Sequence, residues 1–132
     1  MRKREYVLAN KEWLRAKAQE DGVVTLPDGV AYRVLAEGDP AGDRPTVRSI
    51  VTVHYTGRTI DGRVFDSTRG GVAMACRLDE LIGGWIVALQ QMRVGDRWEV
   101  YVPAEMGYGK RSLPGIPGGS TLIFEIELVG VA

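Results

Sequence analysis

The sequence predicts an α+β fold: a curved, mainly antiparallel β-sheet wrapped around a short central helix, with a further helix at the N-terminus. Three observations carry this expectation. Several short segments alternate apolar and polar residues, as half-buried strands do. They are joined by turns and loops rather than helical crossovers, which makes the sheet antiparallel. Only one internal helical segment, around Trp85, is available to cover the sheet's apolar face.

The elements follow in order. Residues from about Glu5 to Glu20 read as a helix, because Tyr6, Ala9, Trp13 and Ala16 recur at helical spacing and Asp21-Gly22 closes the segment. This gives an N-terminal helical extension over 1–21, followed by one domain over 22–132. Val23 to Leu26 and Val30 to Leu35 read as two short strands around a Pro27-Asp28-Gly29 turn. Ile50 to Ile60 is the clearest strand: Val51, Val53 and Tyr55 share one side, and Thr52, His54 and Thr56 the other. Asp61-Gly62 then signals a tight turn into a second arm carrying Phe65 and Asp66. Val72 to Leu78 reads as a strand. Gly84 to Met92 reads as a helix with Trp85, Leu89 and Met92 on one face. Arg97 to Pro103 alternates Trp98, Val100 and Val102 against Glu99 and Tyr101. The stretch from Ala104 to Gly119 is rich in glycine and proline and reads as a long loop, which in a compact domain is usually functional. The last strand sets Leu122, Phe124, Ile126 and Leu128 on one face.

Composition excludes several function classes. Lys plus Arg number 17 and Asp plus Glu number 17, so the basic excess of a dedicated nucleic-acid binder is missing. The run Arg2-Lys3-Arg4 reads as a solvated terminus. No segment approaches the roughly 18 apolar residues needed to cross a bilayer, and the start has no apolar core of signal-peptide length. Cys76 is the only cysteine, so no internal disulfide forms, which suits a reducing compartment. The expectation is a soluble, cytoplasmic protein, with an exported origin if a leader was removed.

The common chemistries find no support. His54 and Cys76 read as a surface histidine and an inert thiol, and one of each makes no metal site. The glycine-rich stretches lack the lysine of a phosphate loop, and no hydrolase elbow is present. No metal and no cofactor is expected. What remains is aromatic: Tyr55, Phe65, Trp85, Tyr108 and Phe124 come from five separate segments. Each alone reads as core. Together they matter if they converge on a concave pocket.

At this point the residues resemble a known family. Val51-Thr52-Val53-His54-Tyr55-Thr56-Gly57 followed by Asp61-Gly62-Arg63-Val64-Phe65-Asp66-Ser67 resembles the opening of an FKBP-type peptidyl-prolyl cis-trans isomerase. Leu81-Ile82-Gly83-Gly84-Trp85 is similar to that family's strand-to-helix turn. Gln91 to Gly95, Tyr108-Gly109, Gly115-Ile116-Pro117 and Ser120 to Glu125 complete the series in order. The leading helix, with Asn10-Lys11-Glu12-Trp13-Leu14, resembles the end of the linker helix in bacterial dimeric members, so the expectation is a chain of that branch without the dimer-forming part.

The resemblance implies a pocket lined by Tyr55, Phe65, Asp66, Leu81, Ile82, Trp85, Tyr108, Ile116 and Phe124. It makes Trp85 the floor beneath a proline ring, the Ile82 N–H a donor to a substrate carbonyl, and Tyr108 a second donor. Cys76 stands where the family carries phenylalanine, nine residues before the helix tryptophan, and is expected to form a smaller wall against the substrate. The implied activity is rotation of X–Pro bonds in proline-containing peptides and unfolded proteins, as a folding helper. Rapamycin-type macrolides are expected in the same pocket, and neither nucleic acid nor membrane is an expected partner. The alternative is a proline-segment binding module or chaperone with little catalytic activity.

Overall fold

The computed structural model describes residues 2–132; Met1, the first residue of the expected extension, lies outside the described residues. Helix α1 (Lys3–Ala18) leads into β1 (Val23–Thr25) and β2 (Ala31–Ala36). These are followed by β3 (Ile50–Arg58), β4 (Val64–Ser67), β5 (Met74–Arg77), α2 (Gly83–Leu89), β6 (Arg97–Val102) and β7 (Leu122–Val131). The strands form one curved seven-stranded sheet in the order β1-β2-β6-β7-β3-β4, with β5 also on β3. Every pairing is antiparallel, as the short connections require.

The period-two pattern sorts the side chains as expected. Val51 and Val53 of β3, Val100 and Val102 of β6, and Leu122, Phe124, Ile126 and Leu128 of β7 all lie buried in one core with Trp85, Ala88 and Leu89 of α2. A seven-residue helix has no stability of its own, so packing holds α2 in place. The approach is very close: a Cβ on Gly84 would sit 2.5 Å from Val102 Cγ1. Only glycine lets α2 lie this low on the sheet.

The opposite face carries a second, smaller core. Ala31, Tyr101 and Ile123 are buried there beneath Trp13 and Leu14 of α1. The Trp13 and Tyr101 rings meet edge to face at 5.8 Å. The helix begins and ends two residues earlier than expected, and its inward stripe is centred differently. Ala16 is exposed, whereas Asn10 is completely buried. Asn10 Oδ1 accepts the Thr121 N–H at 2.8 Å, its Nδ2 donates to the Tyr6 carbonyl at 2.8 Å, and Thr121 Oγ1 donates to the Asn10 carbonyl at 3.3 Å. One turn away, Tyr6 Oη and Ser120 Oγ lie 2.7 Å apart.

Other boundaries shift as well: α2 ends at Leu89 rather than Met92, and β3 at Arg58 rather than Ile60. The strand expected from Val72 begins at Met74, and Leu78 already belongs to a 3₁₀ turn over Leu78–Glu80. The long loop from Ala104 to Gly119 is internally bonded. Gly109 N–H donates to the Ala104 carbonyl at 2.8 Å, Gly119 N–H to the Gly109 carbonyl at 2.9 Å, and Leu113 and Ile116 exchange two bonds of 2.9 Å.

Candidate functional site

The site arises where the edge of the sheet divides. The first half of β3 pairs with β5, with Val53 opposite Met74, and its second half pairs with β4, with Thr56 opposite Ser67. Tyr55 falls between the two pairings. Its backbone N–H donates to Thr68 Oγ1 at 2.9 Å, and its ring projects inward over α2. A cleft of about 160 Å³ opens there, lined by Tyr55, Phe65, Asp66, Met74, Leu81, Ile82, Trp85, Tyr108 and Phe124.

Its floor and walls are aromatic. Trp85, buried at the start of α2, meets Tyr55 edge to face at 5.0 Å and Phe124 at 5.2 Å. Phe124 also meets Phe65 at 5.7 Å with the rings nearly perpendicular. Such edge-to-face pairs suit the ring quadrupoles, the positive edge of one meeting the negative face of the next. The backbone makes room for them at Gly57, where a Cβ would come within 2.6 Å of Phe65 and 2.8 Å of Phe124.

The polar groups are few. Tyr55 O–H donates to Asp66 Oδ2. Burial, and then this bond to a carboxylate, push the Tyr55 hydroxyl well above its ordinary range, so it stays a donor through neutral pH. Neither the Ile82 N–H nor the Tyr108 O–H is donated to an acceptor among the described residues. Both line the cleft, so two free donors border an apolar floor. The Trp85 Nε1 is buried and also lacks an acceptor.

Eight of the ten expected residues meet here: Tyr55, Phe65, Asp66, Leu81, Ile82, Trp85, Tyr108 and Phe124. Two do not line the cleft. Ile116 is only 6% exposed and belongs to the core. It supports the wall indirectly, because the neighbouring Gly115 packs against Phe65. Cys76 is half-buried opposite Val51, one pleat further from Tyr55 than Met74, and burial raises its thiol pKa, which keeps the sulfur protonated. Met74 takes the place on the wall expected of Cys76. His54 turns to the other side of the sheet, its Nδ1 2.9 Å from Thr68 Oγ1, so it forms no pair with Cys76. Arg69 is bound to Glu125 at 2.9 Å, away from Asp66.

Met74 was within reach of a sequence argument. It shares strand parity with Cys76, and a thioether fills irregular gaps well. The register that brings it, rather than Cys76, to the cleft depends on where the strand begins after the Arg69–Ala73 loop, which no local pattern marks.

The chain is similar to known proteins. The family model described as FKBP-type peptidyl-prolyl cis-trans isomerase matches residues 42–129. The outer membrane protein MIP of Legionella longbeachae is 44% identical over 121 residues, covering 90% of this chain and 51% of that protein. The FKBP-type peptidyl-prolyl cis-trans isomerase FkpA of Escherichia coli K12 is 38% identical over 122 residues, covering 92% of this chain and 44% of that protein. The chain therefore spans about half the length of these curated relatives. Among solved structures, a peptidyl-prolyl cis-trans isomerase from Pseudomonas syringae pv. tomato superposes with a TM-score of 0.91 at 32% identity, covering 100% of this chain and 97% of that one. Crystalline FkpA from Escherichia coli gives 0.88 at 37% identity, with 96% and 59% covered.

Proposed function

Since the chain belongs to the FKBP-type peptidyl-prolyl cis-trans isomerase family, we propose that it accelerates rotation about X–Pro bonds in exposed peptides and unfolded proteins. The observation that carries this reading is the pair of free donors, Ile82 N–H and Tyr108 O–H, bordering an apolar floor made by Trp85.

The chemistry asks for little more. Peptide rotation has a barrier of about 18–20 kcal/mol because the C–N bond is partly double, and an uncatalysed X–Pro bond exchanges over tens to hundreds of seconds. Turning through a right angle breaks amide resonance. The carbonyl oxygen loses negative charge, and the nitrogen becomes pyramidal. An apolar cleft disfavours the polar planar amide and accepts the twisted form, and each ~1.4 kcal/mol of such preference gives about tenfold in rate.

The roles follow. The Trp85 face carries the proline ring. Ile82 N–H and Tyr108 O–H hold the chain on either side of the bond, so that only one segment turns. Phe65 and Phe124 shape the wall, and Leu81 and Met74 close its ends. Asp66 anchors the Tyr55 hydroxyl and so fixes the ring beside the floor. A rapamycin-type macrolide is expected to occupy the same cleft. The division into an extension over 1–21 and an isomerase domain over 22–132 belongs to the same reading.

Exchange spectroscopy on a short Ala-Pro peptide tests it. The protein at about one hundredth of the peptide concentration should broaden the cis and trans resonances. Unchanged exchange with intact peptide binding would favour the alternative, a module that captures proline segments without turnover. No helix among the described residues is long and apolar enough to cross a membrane. The lone thiol supports a cytoplasmic location, while the name of the Legionella relative supports an exported one, and fractionation of the source cells separates the two.

A further inference from the structure

A second crevice, of about 260 Å³, lies on the other side of the loop that carries Tyr108, between that loop and α1. Its floor is apolar: Val7 from α1, Pro103 and Ala104 from the segment just after β6, and the bare backbone of Gly118 and Gly119. Gly119 brings the two walls together, since a Cβ there would sit 2.5 Å from Val7 Cγ2, while Gly118 lets the loop fold close on the Lys110 carbonyl. The rim carries Lys3, Lys11 and Lys110, with Glu105 as the only carboxylate. Each basic residue of the rim is exposed, and none of the three takes part in an ion pair among the described residues.

We propose that this crevice binds a small amphiphilic anion, a single carboxylate carried on an unbranched aliphatic body. Three features select that class. The volume falls just below the range of roughly 300–1,000 Å³ usual for small-ligand pockets, which is too small for a folded partner. The floor offers carbon rather than donors, so a bare inorganic ion gains nothing there. The rim has three ammoniums against one carboxylate, with no ion pair to satisfy them. Lysine stems cover an aliphatic chain while their heads stay at the mouth, which places the ligand's charge outermost and its tail against Val7, Pro103 and Ala104.

Binding should grow with tail length until the crevice is full. Each buried methylene strengthens it about fourfold, and the charge contribution should weaken with salt. The site is separate from the Trp85 cleft: the two have no lining residue in common and meet only through the Tyr108-Gly109 peptide.

The test uses the full chain labelled with ¹⁵N and titrated with hexanoate, octanoate and decanoate below their micellar concentrations. We expect saturable amide shifts at Ala104, Gly109, Gly118 and Gly119, with affinity rising along the series. Octanol should bind more weakly than octanoate. The double substitution Lys11→Glu and Lys110→Glu, at exposed positions where folding is not at risk, should weaken octanoate about tenfold, as two exposed attractions become repulsions. A large excess of Ala-Pro peptide should leave the shifts in place. The proposal is overturned if shifts are absent or confined to the Trp85 cleft, if octanol matches octanoate, if charge reversal has no effect, or if the peptide displaces the carboxylate. Loss of isomerase activity alone would bear on the Trp85 cleft and leave these shifts unchanged.

Discussion

The two faces of the sheet hold a helix each, and by different means. On the inner face α2 is held by carbon: Trp85, Ala88 and Leu89 sink into the core, and Gly84 lets the backbone lie against Val102. On the outer face α1 is held around a buried amide, with Asn10 bonded to Thr121 and to the Tyr6 carbonyl. Each face also has one tyrosine that donates to a carboxylate, Tyr55 to Asp66 inside and Tyr101 to Glu99 outside at 2.6 Å. The inner pair sits at an open cleft, the outer pair under a helix. Apolar packing tolerates an opening because it is non-directional, whereas a buried amide needs its partners in place. That difference explains why the Trp85 cleft is walled by carbon, and why the polar clamp sits where α1 must be held to the sheet.

The sharpest way to break the comparison is to remove the inner face's central ring. Phe124 touches Tyr55, Phe65 and Trp85 and is 3% exposed. Phe124→Ala should cost about 3–5 kcal/mol, as buried aromatic truncations do, and should abolish peptide exchange with it. Urea denaturation and exchange spectroscopy read the two losses. The outer face should respond to Asn10→Ala by about 1–3 kcal/mol, because the buried Thr121 N–H is left without an acceptor. The loop that carries Tyr108 is tied to this segment through Gly119 N–H and the Gly109 carbonyl, so turnover should fall as well, and a rise in KM larger than the fall in kcat would place the defect in substrate positioning. If Asn10→Ala proves neutral in urea, the outer helix is held by its other contacts, chiefly Trp13, Leu14 and the Tyr6–Ser120 bond.

A smaller effect separates function from stability on the inner face. Tyr108 is half-buried, and its hydroxyl has no partner among the described residues. Tyr108→Phe should therefore change stability by no more than about 0.5 kcal/mol, yet slow peptide exchange about tenfold, the worth of one hydrogen bond made to the reacting chain. Equal activity of the two proteins would remove Tyr108 from the proposed mechanism.

The legibility of the two faces differs for the same reason. The strands β3, β6 and β7 declare themselves through strict alternation, and that alternation alone puts Tyr55, Trp98 and Phe124 on the inner side. Residues anchored on regular elements, such as Trp85 at the start of α2, were legible too. Cys76 and Ile116 are expected at the cleft only through the resemblance; along β5 a shift of one pleat decides which side chain reaches the cleft, and Met74 is the result. On α1 the apolar residues alone mark a stripe through Ala16. The true stripe runs through Asn10, whose burial is permitted because its amide finds hydrogen-bond partners inside. Nothing in the sequence announces that Thr121, 111 positions later, supplies one of them.

The tyrosine–carboxylate pairs give the gentlest test, through pH. Burial and the bond to Glu99 raise the Tyr101 hydroxyl to about 12, from an ordinary value near 10. A proton held more tightly in the folded state stabilises that state at every pH below about 10, and the stabilisation is lost as pH rises from there through about 12. Tyr55 is shifted in the same direction, so both faces should weaken together in alkali. In acid the outer pair has a contribution of its own to lose. Burial alone would raise the Glu99 carboxyl, but the bonds donated by Tyr101 and Arg58 outweigh it and hold the group below its usual range. A carboxylate lowered in this way stabilises the fold above its unfolded value and loses that contribution as pH falls. Tyr101→Phe removes a donor from Glu99 and should flatten both ends of the curve. Tyr55→Phe should flatten the alkaline end, because it removes the other raised hydroxyl. If urea denaturation above pH ~10 showed the same loss of stability in Tyr55→Phe as in the native protein, the Tyr55 hydroxyl would not be held by burial and its carboxylate, and the likeness between the open and the covered pair would fail.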